Sequence, residues 1–177
     1  MPDDPVRKLA LGFARDWDLE QTMVFESVYH ENLRLNLETK RELLARCGCV
    51  WLYDAGTQEL IGETYGFSVR ENLAFLEGPE ADDVYPFREQ PAVYVLSTTI
   101  LPAFQGRGFG KVLKAFFLGT VSQAGFPLVL GHAREGRSVY LNRAFGATVH
   151  RAHPDWGGSG ETYHFYTLRL DTAQGYR

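Results

Sequence analysis

The stretch most suggestive of chemistry is a glycine-rich segment that follows an apolar, β-branched run. Its sequence is LPAFQGRGFGKVLKAFF from Leu101 to Phe117, and Gly106, Gly108 and Gly110 lie within a span of five residues. Glycines let a backbone approach a ligand closely, and the first turn of a helix offers unpaired N–H groups to an anion. The segment therefore predicts a phosphate-binding loop at the start of a helix.

Two common phosphate-binding motifs do not fit this loop. The Walker A pattern, G-x-x-x-x-G-K-[ST], fails because Gln105 stands at its first glycine and Val112 at its hydroxyl position. The dinucleotide pattern G-x-G-x-x-G fails because Lys111 stands at the third glycine position after Gly106 and Gly108. The loop therefore gives no support for ATP hydrolysis or for nicotinamide binding.

The pattern that fits is Q/R-x-x-G-x-G/A, which Gln105, Gly108 and Gly110 satisfy between a predicted strand and a predicted helix. In this motif, and in its order of elements along nearly the whole length, the chain resembles the GNAT superfamily of acyl-CoA-dependent N-acetyltransferases. The resemblance implies an α/β (α+β) fold with a central mixed, mostly antiparallel sheet of about seven strands. About four helices would flank this sheet, which would be splayed between strands 4 and 5.

The resemblance also implies acetyl-CoA as cosubstrate and a place for it to bind. Loop amides and the positive end of the helix dipole would hold the pyrophosphate without a metal, while Arg107 and Lys111 add positive charge. The pantetheine arm would lie beside the strand before the loop. The expected contact residues are Ile100, Leu101, Gln105, Gly106, Arg107, Gly108, Phe109, Gly110 and Lys111. A structural glycine turn with ordinary basic surface residues is the alternative.

Acetyl transfer to an amine requires a base, since an ammonium such as that of lysine has a solution pKa of about 10. Glu63 is the first candidate, because it alternates with Ile61 and Tyr65 on a predicted central strand and GNAT enzymes often carry an acid on the central sheet. The alternative is a carboxylate on the solvent face of that strand. Asp82 and Asp83 are weaker candidates for holding the substrate cation.

The residue expected near the leaving thiolate departs from the pattern of the superfamily. Many members carry a tyrosine four residues before a glycine in the helix after strand 5, and counting back from Gly146 places Asn142 there. An amide can only hydrogen-bond the sulfur or an ordered water. Tyr140 lies two residues earlier and, at about 100° per residue, is expected on the opposite side of the helix.

The remaining candidate groups indicate neither a metal nor a covalent intermediate. The superfamily often builds part of its acceptor pocket from the closing hairpin, which here offers His153, Tyr163, His164 and Tyr166. The histidines lack H-x-x-x-H spacing and the two cysteines form a single C-x-C pair, so we predict no metal site. We expect direct attack by a primary amine of a small molecule or peptide within a ternary complex. A non-catalytic acyl-CoA-binding sensor or scaffold is the alternative.

Hydrophobic periodicity and chain breakers predict the element order β-α-α-β-β-β-α-β-α-β-β. The elements expected before the glycine loop are a strand at 8–15, a helix at 18–35, a second helix with a Thr39/Glu42 capping box that ends at Gly48, a hairpin with its turn at 55–59, a loop or flap at 77–91 and a strand at 92–101. Those expected after it are a helix at 109–124, a buried strand at 127–133, a helix at 138–145 and a closing hairpin.

Length and charge limit the possible partners. A chain of 177 residues with 45% hydrophobic content fits one domain, so we expect a single N-acetyltransferase domain over 1–177. The net charge of −4 argues against nucleic acid and mildly favours a cationic substrate. The N-terminus lacks a signal-like apolar run, and no stretch reaches the roughly 18 apolar residues of a membrane span. We expect a cytoplasmic protein with no membrane partner, either a monomer or a homodimer.

Overall fold

A seven-stranded sheet runs through the computed structural model, which describes residues 9–13 and 19–170. The strands are β1 Leu9–Phe13, β2 Gly48–Asp54, β3 Leu60–Ser68, β4 Ala92–Ile100, β5 Leu128–Arg134, β6 Thr148–His153 and β7 Tyr163–Arg169. Their order in the sheet is β1-β2-β3-β4-β5-β7-β6. All neighbours are antiparallel except β4 and β5, which are parallel. The predicted mixed, mostly antiparallel sheet is confirmed.

Helices cover both faces of this sheet. The α-helices of the described residues are α1 Leu19–Thr22, α2 Leu37–Leu44, α3 Val69–Asn72, α4 Gly78–Val84, α5 Phe109–Gln123 and α6 Arg137–Ala144. The predicted element order lacked α3 and α4, which both lie between β3 and β4. Within the described ranges, no helix is both long enough and apolar enough to cross a membrane.

The predicted helix over 18–35 is wrong. α1 ends at Thr22, and two 3₁₀ segments follow it, Met23–Val28 and Glu31–Leu33. Between them Tyr29 has an extended backbone (φ −89°, ψ 153°) and sends its side chain to hydroxyl groups of β4. The helical spacing of apolar residues is real, but tertiary contacts with the sheet override it.

Two further expectations in the first half fail for local reasons. The N-cap of α2 is Asn36, whose side chain accepts a hydrogen bond from the Thr39 N–H at 2.8 Å, so the Thr39/Glu42 capping box is wrong. Gly48 does not cap the helix, because it already pairs with β3 as the first residue of β2. The loop predicted at 77–91 is also wrong, since it contains α4 and the 3₁₀ segment Tyr85–Phe87.

The remaining elements are close to their predicted bounds. The turn at 55–59 joins β2 to β3, and α6 begins one residue before the predicted start. α5 ends one residue before its predicted end, with Gly125 beyond it at φ +87°, a conformation that favours glycine at a helix C-terminus. β6 and β7 form the predicted closing hairpin.

Apolar side chains alternate between two layers of core along the strands. On one face, α5 packs Leu113 and Phe117 against β2 to β5 and residues such as Val93. On the other face, Tyr94 of β4 packs against the layer that includes Val84 of α4. The sheet therefore has α5 on one face and α4 on the other, and both layers meet at β4 and β5.

β4 and β5 part after a short parallel ladder, which confirms the predicted splay. Only Ala92–Val95 pairs with Leu128–Gly131. The divergence coincides with a bulge, since Gly66 pairs with Val95 whereas the preceding residue of β3 pairs with Ser97. A Cβ at Gly66 would lie 2.5 Å from the Tyr94 carbonyl oxygen, so this close approach requires glycine.

Candidate active site

A cavity of about 280 Å³ opens where β4 and β5 diverge. Its walls come from β4, the glycine loop with the start of α5, β5, α6 and β7, and from the irregular segment that carries Tyr29. The lining residues are Val28, Tyr29, Leu96, Ser97, Thr98, Thr99 and Ile100; Gln105, Gly106, Gly108, Gly110 and Lys111; His132 and Arg134; Arg137, Ser138, Tyr140 and Leu141; and Tyr163. The glycine loop thus lies at the same cavity as the parted strands.

The glycine loop leaves open space beside its backbone. Gly106 and Gly108 have φ of +79° and +84°, and a Cβ built at either position meets no heavy atom within 4 Å. Gly108 is the N-cap of α5 and supplies no side-chain cap, so the helix begins with its amide end towards this space. The arrangement fits the phosphate cradle that the sequence predicts.

Gln105 fixes the loop to both walls of the cavity. Its Nε2 donates to the Ile100 carbonyl oxygen at 2.9 Å, and its Oε1 accepts from Arg137 Nη1 at 2.9 Å. The first bond ties the loop to the end of β4, and the second ties it to α6. The motif glutamine therefore shapes the site and holds the Arg137 guanidinium at its rim.

Six of the nine predicted contact residues line the cavity and three do not. The lining members are Ile100, Gln105, Gly106, Gly108, Gly110 and Lys111. Of the others, Leu101 uses its N–H to donate to the Ile61 carbonyl oxygen at 3.0 Å, and Phe109 packs its ring 6.4 Å from that of Phe104. Arg107 is exposed outside the lining set.

Hydroxyl groups form a cluster on the β4 side of the cavity. Tyr29 Oη lies 2.6 Å from Ser97 Oγ and hydrogen-bonds Thr99 Oγ1, and the two β4 hydroxyls are 3.1 Å apart. Burial raises the pKa of Tyr29 although these hydrogen bonds oppose it, so the phenol stays protonated at neutral pH. Sequence reasoning missed Tyr29 because it lies inside the segment predicted as a helix.

Glu63 lies one strand away from the cavity. It is 0% exposed; Oε1 is 3.0 Å from Lys40 Nζ, and Oε2 accepts from Trp51 Nε1 at 3.3 Å. Burial raises the pKa of Glu63 to about 7, and the Lys40 ammonium opposes the shift. The solvent-facing alternative is therefore wrong. Glu63 is not a lining residue, but Thr99, its partner in the β3–β4 register, is.

α6 turns Tyr140 to the cavity, whereas Asn142 faces the protein interior. Tyr140 is 68% exposed and lines the cavity, so it lies on the side of α6 opposite to Asn142, as expected, but Tyr140 is the one that faces the cavity. Asn142 is buried outside the lining set, and its Nδ2 donates to the Ser138 carbonyl oxygen at 2.9 Å. Residues three and four apart share a helix face, which groups Arg137, Tyr140 and Leu141. Counting back from Gly146 therefore selected a residue on the buried face of α6.

The closing hairpin and its neighbours form the far end of the cavity. Tyr163 lines it and stacks on Trp156 with ring centroids 5.2 Å apart, whereas Tyr166 is buried and accepts from Lys114 Nζ at 3.2 Å. His164 lies 3.8 Å from Glu135. Of the two weaker candidates for holding the substrate cation, Asp82 is exposed and Asp83 is buried on α4, and neither is a lining residue.

Three residues with metal-binding side chains meet beside this end of the cavity. Asp83 Oδ2 lies 3.2 Å from His132 Nε2 and 2.6 Å from His153 Nε2. Burial raises the pKa of Asp83, but its interactions with His153 and His132 outweigh the effect of burial, and the pKa is lowered. Burial lowers the pKa of His132 to about 4, with Asp83 opposing. The expectation of no metal considered local spacing alone and could not detect this cluster.

Comparison with known proteins identifies the fold. No protein-family model and no curated protein matches the sequence. The structure of the ribosomal-protein-S18-alanine N-acetyltransferase from Escherichia coli matches with a TM-score of 0.69 at 11% identity, covering 96% of this chain and 100% of that one. A mosquito arylalkylamine N-acetyltransferase like 5b matches with 0.68 at 17% identity, covering 92% and 100%.

A third similar structure, Arabidopsis thaliana NAA60 in complex with acetyl-CoA, has a TM-score of 0.68 at 14% identity and covers 92% of this chain and 99% of its own. The three alignments each cover at least 92% of this chain. The chain therefore has the GNAT acetyltransferase fold.

Proposed function

We propose that the protein is an acetyl-CoA-dependent N-acetyltransferase that acts on a primary amine of a small molecule or peptide by direct attack in a ternary complex. The observation that carries this proposal is the cavity between the diverging β4 and β5, with the positive-φ glycine loop at the N-terminus of α5 on its wall. An open strand edge beside a helix N-terminus suits an extended ligand that ends in phosphates.

The glycine loop would bind the pyrophosphate. The space beside Gly106 and Gly108 admits phosphate oxygens close to the backbone, and the dipole of the fifteen-residue α5 favours negative charge there. Lys111 and Arg137 line the same part of the cavity and place two cations at its rim. No metal is needed for this charge balance.

The parted edge of β4 would bind the pantetheine arm. Successive backbone amides of a strand point to opposite neighbours. Since the Leu101 N–H donates to Ile61 on β3, the N–H of Ile100 points the other way, to the side where β5 has diverged. Ile100 thus supports a backbone contact, whereas the predicted contact at Leu101 is not supported.

The side chains on α6 and β4 suggest how the reacting groups are placed. Tyr140 brings a phenol to the cavity and is our candidate for protonating the departing thiolate. The hydroxyl cluster of Tyr29, Ser97 and Thr99 would orient the amine or an ordered water. Glu63 remains a proposed base, or an anchor for the water that acts as base. Because Glu63 does not line the cavity, it would act by way of Thr99, its partner on β4.

The names of the similar proteins support an amine acceptor without identifying a particular one. They include a ribosomal-protein alanine acetyltransferase and an arylalkylamine acetyltransferase, one acting on a protein and one on a small amine. The net charge of −4 is compatible with cationic acceptors of either kind.

A thiol-release assay tests this proposal. Tag-free protein is incubated with acetyl-CoA and a panel of polyamines, arylalkylamines, amino acids, aminoglycosides and peptides, and free CoA is measured with a thiol reagent. We expect release with at least one acceptor, with the acetylated amine confirmed by mass spectrometry. Acetyl-CoA binding without release for any acceptor would support the non-catalytic module instead. Absence of acetyl-CoA binding would contradict both functions.

A further inference from the structure

A carboxylate and two imidazoles from three separate elements converge beside the cavity. Asp83 comes from α4, His132 from β5 and His153 from β6, and one ligand atom of each lies within 4.8 Å of the others. Asp83 is 49 residues from His132 and 70 from His153 along the chain. The proposed acetyl transfer assigns no step to this cluster.

The distances suit one small cation after a minor adjustment. Zinc bonds to histidine nitrogen and carboxylate oxygen are about 2.0–2.2 Å, which places neighbouring donors of a tetrahedral site about 3.3 Å apart. Asp83 Oδ2 is already 3.2 Å from His132 Nε2, and it is 2.6 Å from His153 Nε2. Of these two contacts, only that of His153 must open, by less than about 1 Å. The His153 side chain is 14% exposed, which gives it room and gives an ion a path from solvent.

A hydrogen-bonded chain behind His132 orients its free lone pair towards Asp83. Tyr94 Oη donates to Glu80 Oε1 at 3.1 Å and lies 2.8 Å from His132 Nδ1. Since the Tyr94 proton is given to Glu80, the phenolic oxygen accepts from the Nδ1–H of neutral His132. The Nε2 lone pair then faces the Asp83 carboxylate, and two acceptors at 3.2 Å require a proton or a cation between them. Metal-bound histidines are held in this way by an outer acceptor on the other ring nitrogen.

The surroundings of the cluster allow it to accept a metal ion. Arg151 Nη1 lies 3.4 Å from Asp83 Oδ1, the oxygen that the histidines do not contact, and its side chain is 66% exposed. This arginine can stay on the outer oxygen or move into solvent without disturbing the core. The Trp156 ring shields the other side, with centroids 4.5 Å from His132 and 5.7 Å from His153.

We propose that Asp83, His132 and His153 bind one divalent transition-metal ion, zinc in the first instance, with the fourth coordination position open to water. Two imidazoles and one carboxylate form a donor set that suits zinc and related ions. The ion clamps α4 to β5 and β6, the elements that carry the three ligands. It stabilises the fold and is not required for acetyl-CoA binding, so the proposal stands or falls independently of the acetyltransferase activity.

Zinc titration of the full chain tests the proposal. Tag-free protein is treated with a chelator, freed of it, and titrated with zinc in a calorimeter and with cobalt in a visible spectrophotometer. We expect one ion per chain, visible d–d bands of tetrahedral cobalt, and a melting temperature that rises with zinc concentration. Absence of stoichiometric binding to wild-type protein would overturn the proposal and leave the cluster as an ion-paired hydrogen-bond network.

Matched variants locate the ion. His153→Ala and Asp83→Asn should each weaken zinc binding by at least about tenfold, the lower end of the effect of altering groups around a metal. His150→Ala removes an exposed histidine from the same strand and should bind zinc like wild type. Acetyl-CoA affinity of every variant, measured separately, verifies the fold. Zinc affinity unchanged in His153→Ala would show that the ion binds elsewhere and would overturn the assignment.

Discussion

At the scale of single residues, the cavity depends on backbone conformations that favour glycine. Gly106 and Gly108 both have positive φ, and neither would bring a Cβ into contact with the rest of the protein. In the free protein, therefore, glycine is favoured at these two positions by the backbone conformation and not by contacts. The empty space beside the two glycines is the space that a phosphate would occupy. A substitution at Gly108 would both strain the backbone and block the space for a phosphate. Substituting a second positive-φ glycine that is far from the cavity measures the effect of strain alone.

Gly108→Leu is expected to weaken acetyl-CoA binding by about tenfold to a hundredfold, as when one charge-assisted hydrogen bond is lost. The matched control is Gly125→Leu at the other end of α5, which has φ +87° and equally open surroundings. Both variants should lose a similar amount of unfolding free energy, on the order of 1–2 kcal/mol. Calorimetric affinity and thermal melts measure both effects. Equal loss of affinity in the two variants would argue against a phosphate at Gly108.

Tyr140→Phe is expected to lower kcat by about 10²-fold or more if the phenol protonates the leaving thiolate, with little change in acetyl-CoA affinity. Asn142→Ala should lower kcat by at most about tenfold, the value of one neutral hydrogen bond, because Asn142 faces the interior. Tyr85→Phe, at an exposed tyrosine outside the cavity, is the control. The reverse order, with Asn142→Ala the more damaging, would restore the sequence-based assignment of Asn142.

At the scale of elements, a buried charge cluster joins α2 and the segment before it to the sheet. Lys40 of α2 is fully buried, with Nζ 3.0 Å from both Glu26 Oε1 and Glu63 Oε1, and it also donates to the Thr22 carbonyl oxygen at 3.0 Å. One ammonium therefore satisfies groups from three parts of the chain. Such pairs fix an arrangement even where they add little net stability.

Lys40→Met is expected to lower the unfolding free energy by about 3–5 kcal/mol, because it leaves two carboxylates buried without a cation. Adding Glu63→Gln to this variant should recover part of the loss. Arg41→Met, at the exposed neighbour on α2, should have little effect. Urea unfolding measures all three. A loss in Lys40→Met no larger than in Arg41→Met would show that the cluster does not hold α2.

The parts of the fold that the sequence predicts are those with strong local signals. β4 is rich in β-branched and aromatic residues, and α5 lies between the glycine loop and Gly125, so both were predicted within a few residues. Segment 18–35 was not, because its apolar spacing suits a helix while Tyr29 is drawn out of it by hydroxyls 68 and 70 residues away. Long-range contacts of this kind leave no local signal.

The residues of the candidate site likewise divide into those that have a local sequence signal and those that do not. The glycine positions and Gln105 follow from a contiguous motif, and the structure places them at the cavity. The direction in which Tyr140 points depends on where α6 begins, and counting residues back from Gly146 could not determine that direction. The cluster of Asp83, His132 and His153 depends on the packing of three elements, so no spacing rule along the chain could reveal it.

At the scale of the whole molecule, the large core buries one lysine of the described residues beside a phenol group. Lys114 is fully buried on α5 and donates to Tyr166 Oη at 3.2 Å. Burial lowers its pKa from 10.5 to about 7. Between these values the unfolded chain binds a proton that the folded chain does not, so this group makes the protein more stable as pH rises from about 7 to about 10.

Lys114→Met is expected to raise the unfolding free energy at pH 7 and to flatten its increase between pH 7 and 10, because the apolar side chain has no proton to release. Lys111→Met, at an exposed lysine on the same helix, should leave the slope unchanged. Denaturant unfolding at several pH values gives both quantities. A slope that Lys114→Met does not alter would mean that Lys114 stays charged in the folded protein.

The short ladder between β4 and β5 also has a mechanical consequence. Its four residue pairs are the only strand pairing, within the described ranges, that connects β1 to β4 with the group formed by β5, β7 and β6. A junction this narrow acts as a hinge, and a small rotation about it widens the cavity at the diverging ends. Amide protons of the β4–β5 ladder are therefore expected to exchange with deuterium faster than those of β3–β4. Their exchange should slow when acetyl-CoA bridges the two groups of strands.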